Sequence, residues 1–192
     1  DYSNEMTLER RYGVSLRALG EFCERVYGSA GQRARKLALS VLGFKLEGQV
    51  IMRHPGYNMD DRLMLNRIDF DDCTVRLDTG VYPLNTSSLP TIDPADPYRL
   101  SAEEAELVNE YVDAFRESQP LRRHLDFIYR RGSTYLVCNG NLLYHGCIPM
   151  TPDGEFVGFT YEGQVYSGRS GMDLINGFIK DALFSRRHFD EE

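Results

Sequence analysis

Tyr135-Leu-Val-Cys-Asn-Gly-Asn-Leu-Leu-Tyr-His-Gly-Cys-Ile-Pro149 decides how the rest of the chain is read. Four strand-forming residues, Tyr135 to Cys138, precede Asn139-Gly140. That dipeptide most readily adopts the positive φ angles of a two-residue hairpin turn. Asn141 to Tyr144 then runs back as a second strand. Both strands are apolar enough for burial on two faces, which predicts a hairpin inside a sheet with helices packed on it. The chain leaves the second strand at His145, with Gly146 beside it and Pro149 ending any continuation. An imidazole is thereby delivered to a strand end, next to a residue without a side chain, where an ion or substrate can approach the backbone. His145 reads either as a metal ligand or as a satisfied structural histidine.

Outward from this stretch, the 192 residues suffice for one domain with a core, or for part of a larger protein. Apolar residues make up 42% and charged residues 27%, the balance of an ordinary globular protein. A net charge of −7 argues against nucleic acid or anionic membrane as a partner held by bulk electrostatics. No apolar run is long enough to span a bilayer, and no signal peptide is evident. The four cysteines, Cys23, Cys73, Cys138 and Cys147, lack C-x-x-C spacing, so structural zinc is not expected and reduced thiols in the cytoplasm are.

Towards the N-terminus the periodicity predicts helices over Ser15–Tyr27 and Gln32–Arg53. The second is apolar nearly all round and is expected in the interior. Its polar residues Lys45, Glu47, Gln49 and Arg53 either pair with partners or line a polar pocket. Asp60–Arg67 suggests a short helix. Cys73–Leu77 and Val81–Leu84 suggest a hairpin with Pro83 on an edge strand. Asn85–Tyr98, with three prolines, reads as a solvated surface loop or an interaction segment. Ser101-Ala-Glu-Glu104 is a capping box that opens a further helix. Leu121, Leu125 and Ile128 mark the next helix, with Arg122, Arg123, Arg130 and Arg131 on a solvated face.

Beyond His145, Phe156–Tyr161 and Gln164–Tyr166 predict another hairpin around Glu162-Gly163. A last helix follows from about Gly171, and the tail from Ser185 is expected to fray. Ser167-Gly-Arg-Ser-Gly171 precedes that helix, where free backbone N–H groups favour an anion and Arg169 adds a charged fork. Arg169 is therefore a candidate phosphate-binding residue, the alternative being a plain turn and cap. Cys147 has no nearby second histidine to activate it and reads as a packed or redox-inert thiol. His54, His124 and His188 read as surface histidines.

Tyr144-His-Gly-Cys-Ile-Pro149 resembles the fourth metal-binding motif of calcineurin-like metallophosphoesterases. The longer run Asn139–Pro149 is similar to class III fructose-1,6-bisphosphatases of bacteria. Tyr12-Gly-Val-Ser-Leu16, Phe44-Lys-Leu-Glu-Gly-Gln49 and Asp153-Gly-Glu-Phe156 resemble the same family. The resemblance implies an α/β fold, part of a metallophosphoesterase-type sandwich. Residues 1–131 would form a mainly helical insertion or cap with a hairpin, and residues 132–192 part of the core. It implies His145 as a ligand in a two-metal centre, with Mn²⁺ as the ion. It also implies a sugar bisphosphate as substrate, and hydrolysis of the 1-phosphate of fructose 1,6-bisphosphate by a metal-bound hydroxide in gluconeogenesis. The family's Asp-x-His, Gly-Asp-x-x-Asp and Gly-Asn-His motifs do not occur in the 192 residues. The resemblance therefore places them outside this internal segment, and the chain alone is expected to be inactive. A non-catalytic binding module, with His145 structural, is the competing reading.

Overall fold

The computed structural model describes residues 8–86 and 88–184, excluding the side chains of Leu183 and Phe184. The expected position of His188 and the fraying of the tail from Ser185 lie outside these residues. The chain divides into two compact units, Asp1–Gln119 and Pro120–Glu192. The sequence reading places its division later, after Arg131.

The first unit is built on helices α1 (Arg17–Tyr27), α2 (Gln32–Arg53) and α3 (Ala102–Glu117). α1 begins two residues later than its periodicity suggests. Ser15 Oγ accepts from the Arg17 N–H at 3.2 Å, and Glu9 Oε1 accepts from the Leu16 N–H at 2.9 Å. α3 starts as expected. Ser101 Oγ accepts from the Glu104 N–H, and Glu104 Oε2 accepts from the Ser101 N–H at 2.8 Å. Leu19, Phe22, Cys23, Ala38, Leu42 and Leu107 bury one core between the three helices.

A second core gathers Val41, Leu65, Ile92 and Tyr98. Two of these come from the stretch expected to be a solvated loop. The loop is held down because Tyr98 Oη accepts from the N–H groups of Leu65 and Asn66, at 3.1 and 3.4 Å. The expected helix over Asp60–Arg67 is two short 3₁₀ turns, Asp60–Arg62 and Met64–Arg67. They lead into a three-stranded antiparallel sheet, β1 (Ile68–Asp69), β2 (Thr74–Leu77) and β3 (Gly80–Pro83), in that order. Pro83 lies on the edge strand, where its missing N–H leaves no ladder bond unmade. The two-residue β1 is too short to leave a period in the sequence.

α2 corrects one expectation. Ala38, Val41, Leu42, Lys45, Gly48 and Ile51 are buried, but Leu39, Phe44, Leu46, Val50 and Met52 on other faces are exposed. The helix lies on the core rather than inside it, since its described neighbours cover one side only. Its polar residues pair: Lys45 with Glu104, Glu47 with Arg62, and Gln49 with the Tyr98 carbonyl.

The second unit contains α4 (Gln119–Arg131), hairpin β4–β5 (Tyr135–Cys138, Asn141–Tyr144), hairpin β6–β7 (Phe159–Tyr161, Gln164–Tyr166) and α5 (Gly168–Phe184). The fold is thus mixed helix and small antiparallel sheets. The expectation that β4–β5 lies within a larger sheet, buried on both faces, is not met among the described residues. The hairpin is a two-stranded ribbon with Leu136, Val137, Leu142, Leu143 and Tyr144 exposed. A ribbon acquires buried faces only when further strands and layers flank it, and among the described residues no further strand does. No helix among the described residues is long and apolar enough to cross a membrane.

Burial raises the pKa of Tyr27 and Tyr98 and pushes Tyr111 up to about 12. A phenol whose folded pKa exceeds its unfolded value stabilises the fold below the unfolded value. That stability is lost as pH rises through the folded value. Urea midpoints are therefore expected to fall between the ordinary tyrosine pKa of 10.0 and about 12. Among the described residues the Tyr27 and Tyr111 hydroxyls are buried without a well-formed hydrogen bond. Tyr111→Phe should therefore cost little at neutral pH and flatten the alkaline fall. An unchanged slope in that variant would assign the fall to other groups.

Candidate functional site

β4 and β5 pair in the register that the Asn-Gly turn demands, from Tyr135↔Tyr144 to Cys138↔Asn141. Asn139 has φ 50° and Gly140 φ 75°, both positive, as a type I′ turn requires. His145 follows β5 directly and is exposed. Among the described residues neither ring nitrogen has a hydrogen-bond partner. A ligating histidine normally donates its second N–H to a carbonyl or carboxylate. That expected partner is not among the described residues. Gly146 adopts φ 91°, and a Cβ there would meet nothing within 4 Å, so the space beside the imidazole is open. Among the described residues no group of three or more His, Cys, Asp or Glu side chains is placed to hold a metal ion. Cys147 and Cys138 are exposed free thiols.

Arg169 is the second residue of α5, with its side chain 82% exposed. Its Nε donates to Tyr135 Oη at 3.1 Å and lies 3.6 Å from Asp173 Oδ2. Tyr135 in turn donates to Asp173 Oδ1 at 2.8 Å. The phenol first, then the carboxylate, hold the guanidinium proton more tightly than usual. The terminal guanidinium nitrogens have no partner among the described residues, so the fork remains available to an anion.

α5 is tied to the foot of β4. The Thr134 N–H donates to Asn176 Oδ1 at 2.8 Å, and Asn176 Nδ2 donates to Ser133 Oγ at 3.0 Å. Tyr135 faces Tyr144 across the ladder, and Tyr144 immediately precedes His145. The structure therefore brings Arg169 and His145 to the same end of one hairpin. The sequence reading treated them as separate candidates and missed Tyr135 and Asp173. The Arg169–Asp173 spacing of four was a legible helical signal. Nothing local in the sequence announced Tyr135.

A family model described as Firmicute fructose-1,6-bisphosphatase matches residues 1–192. A protein of Clostridium novyi named fructose-1,6-bisphosphatase class 3 is 38% identical, over 95% of this chain and 30% of its own length. Proteins of that name from Parabacteroides distasonis and Clostridioides difficile are each 35% identical, over 99% and 100% of this chain and 32% of their own length. The chain thus spans about a third of the length of the curated relatives it matches. No solved structure matches it. With the model matched from the first residue to the last, the chain belongs to the Firmicute fructose-1,6-bisphosphatase family.

Proposed function

We propose that the chain is an internal part of a metal-dependent phosphoric monoester hydrolase that removes the 1-phosphate of fructose 1,6-bisphosphate. The observation that carries this reading is the family match over the whole chain, against relatives about three times as long. Residues 132–192 contribute part of the catalytic core, and residues 1–131 are an insertion or cap. The hairpins belong to a metallophosphoesterase-type sandwich. Support comes from Leu136, Val137, Leu142 and Leu143, which present apolar side chains on both faces of β4–β5.

The donor chemistry fits the implied divalent ions, with Mn²⁺ as the ion, in part. An unbonded, exposed imidazole beside an open glycine suits one coordination position, but His145 alone does not hold an ion. Bound ions would draw charge from the phosphoryl oxygens. In this chain His145 supplies one nitrogen, and Arg169, oriented by Tyr135 and Asp173, receives a phosphate oxygen through its free fork.

The test has two arms. The 192-residue chain with Mn²⁺ is expected to release no phosphate from fructose 1,6-bisphosphate; metal-dependent release would overturn the reading of an incomplete site. In the full-length enzyme, His145→Ala should lower turnover and bound metal at least tenfold, on the scale of lost metal-site contacts, roughly 10–100-fold. Arg169→Gln should raise KM while metal content stays constant. In the isolated chain His145→Ala should leave the urea midpoint unchanged, because the ring has no partner to lose among the described residues. Unfolding of that variant would make His145 structural and favour a non-catalytic module.

A further inference from the structure

The outer face of the small sheet in the first unit holds a polar pocket of about 380 Å³. Its floor follows from the register. Thr74 and Arg76 alternate onto one face of β2, Asp69 lies opposite Thr74, and Val81 lies opposite Arg76. Ile68, on the other face, packs on the second core. Asn66, Arg67 and Asp72 complete the polar walls.

A solvated sheet face is ordinarily polar, and its opposite charges find one another. Here they do not. Arg67 is tied outward, its Nη1 donating to Asp78 Oδ1 at 3.0 Å, with its side chain only 25% exposed. Among the described residues the guanidinium of Arg76, the carboxylate of Asp72, the amide of Asn66 and the hydroxyl of Thr74 make no hydrogen bond or ion pair. Asp69 spends Oδ1 on the N–H groups of Asp71 and Asp72, at 3.1 Å each, which leaves Oδ2 free. The cavity therefore carries unspent donors, among them the unpaired guanidinium of Arg76, and unspent carboxylate acceptors in one concave space.

We propose that this pocket binds a small phosphorylated polyol. A guanidinium fork matches phosphate oxygens, and ionised carboxylates, which only accept, match sugar hydroxyls. The volume lies near the lower end of the range for small-molecule sites, about 300–1,000 Å³, which suits a monosaccharide phosphate and is too small for a dinucleotide. None of the pocket's residues belongs to the unit that carries His145.

Calorimetric titration of the 192-residue chain with fructose 6-phosphate, inorganic phosphate and fructose tests it. Fructose 6-phosphate is expected to bind saturably, with phosphate and fructose each at least about tenfold weaker, since each satisfies only one half of the pocket. Arg76→Gln should lose about tenfold or more for fructose 6-phosphate. Asp72→Asn should weaken fructose 6-phosphate while leaving phosphate unchanged. Both residues are exposed and, among the described residues, unpaired, so the fold should survive either change. His145→Ala should bind as the parent chain does; loss of binding there would move the ligand to the other unit and overturn the proposal. It is equally overturned by the absence of saturable binding, by unchanged affinity in Arg76→Gln, or by phosphate binding as tightly as the sugar phosphate.

Discussion

Lys45→Met is expected to destabilise the chain by roughly 3–5 kcal/mol, the scale for breaking one partner of a buried ion pair. Lys45 and Glu104 are 0% and 1% exposed, with Nζ donating to Glu104 Oε2 at 2.7 Å and to the Thr91 carbonyl at 2.5 Å. Removing the ammonium leaves a buried carboxylate whose remaining described contact is the Ser101 N–H. Burying an uncompensated charge costs far more than the pair gains over apolar packing. The double variant Lys45→Met/Glu104→Gln should accordingly recover much of the loss. Its amide oxygen still accepts from the Ser101 N–H and keeps the cap, while no charge is left behind. Urea unfolding of the three chains checks this. A double variant as unstable as the single one would show that packing around Lys45, and not the orphaned charge, dominates.

Gly48→Ala should destabilise by about 3 kcal/mol, the upper part of the range for forcing volume into a packed core. A Cβ at Gly48 would lie 2.2 Å from both Cδ1 and Cε1 of Tyr98. The ring has little room to yield. Tyr98 is 3% exposed, its hydroxyl holds the N–H groups of Leu65 and Asn66, and its carbonyl accepts from Gln49 Nε2 at 2.8 Å. Helix propensity opposes this, since Ala is favoured over Gly by about 1 kcal/mol within a helix. The clash wins at position 48. At Gly43, on the same helix, nothing lies within 4 Å of an added Cβ, so only the propensity remains. Gly43→Ala should therefore stabilise by up to about 1 kcal/mol. The two urea midpoints should move in opposite directions, and a fall in both would sink the steric argument.

Several features were legible because their physics is local. The capping box at Ser101 and Glu104 needs only residues three apart, and it formed as read. The Asn139-Gly140 and Glu162-Gly163 turns depend on the φ preferences of two residues, and both show the positive φ values they call for. The long α2 followed from periodicity, and its bounds agree. The family was legible in the run from Asn139 to Pro149, because that resemblance is carried by consecutive residues.

What the sequence by itself determined, then, was the local elements, the turns and the family to which the chain belongs. Tertiary structure alone decided which faces those elements bury and which side chains meet. Lys45 found Glu104 fifty-nine residues away, because α2 and α3 flank one core. Tyr98 left an expected surface loop for the interior because two backbone N–H groups required its hydroxyl. Arg169 came to the His145 end of the hairpin through Tyr135, thirty-four residues distant. The apolar faces of β4–β5 stayed exposed for the converse reason. Strand propensity is a property of the segment, whereas burial requires neighbours, which the described residues do not supply to this ribbon.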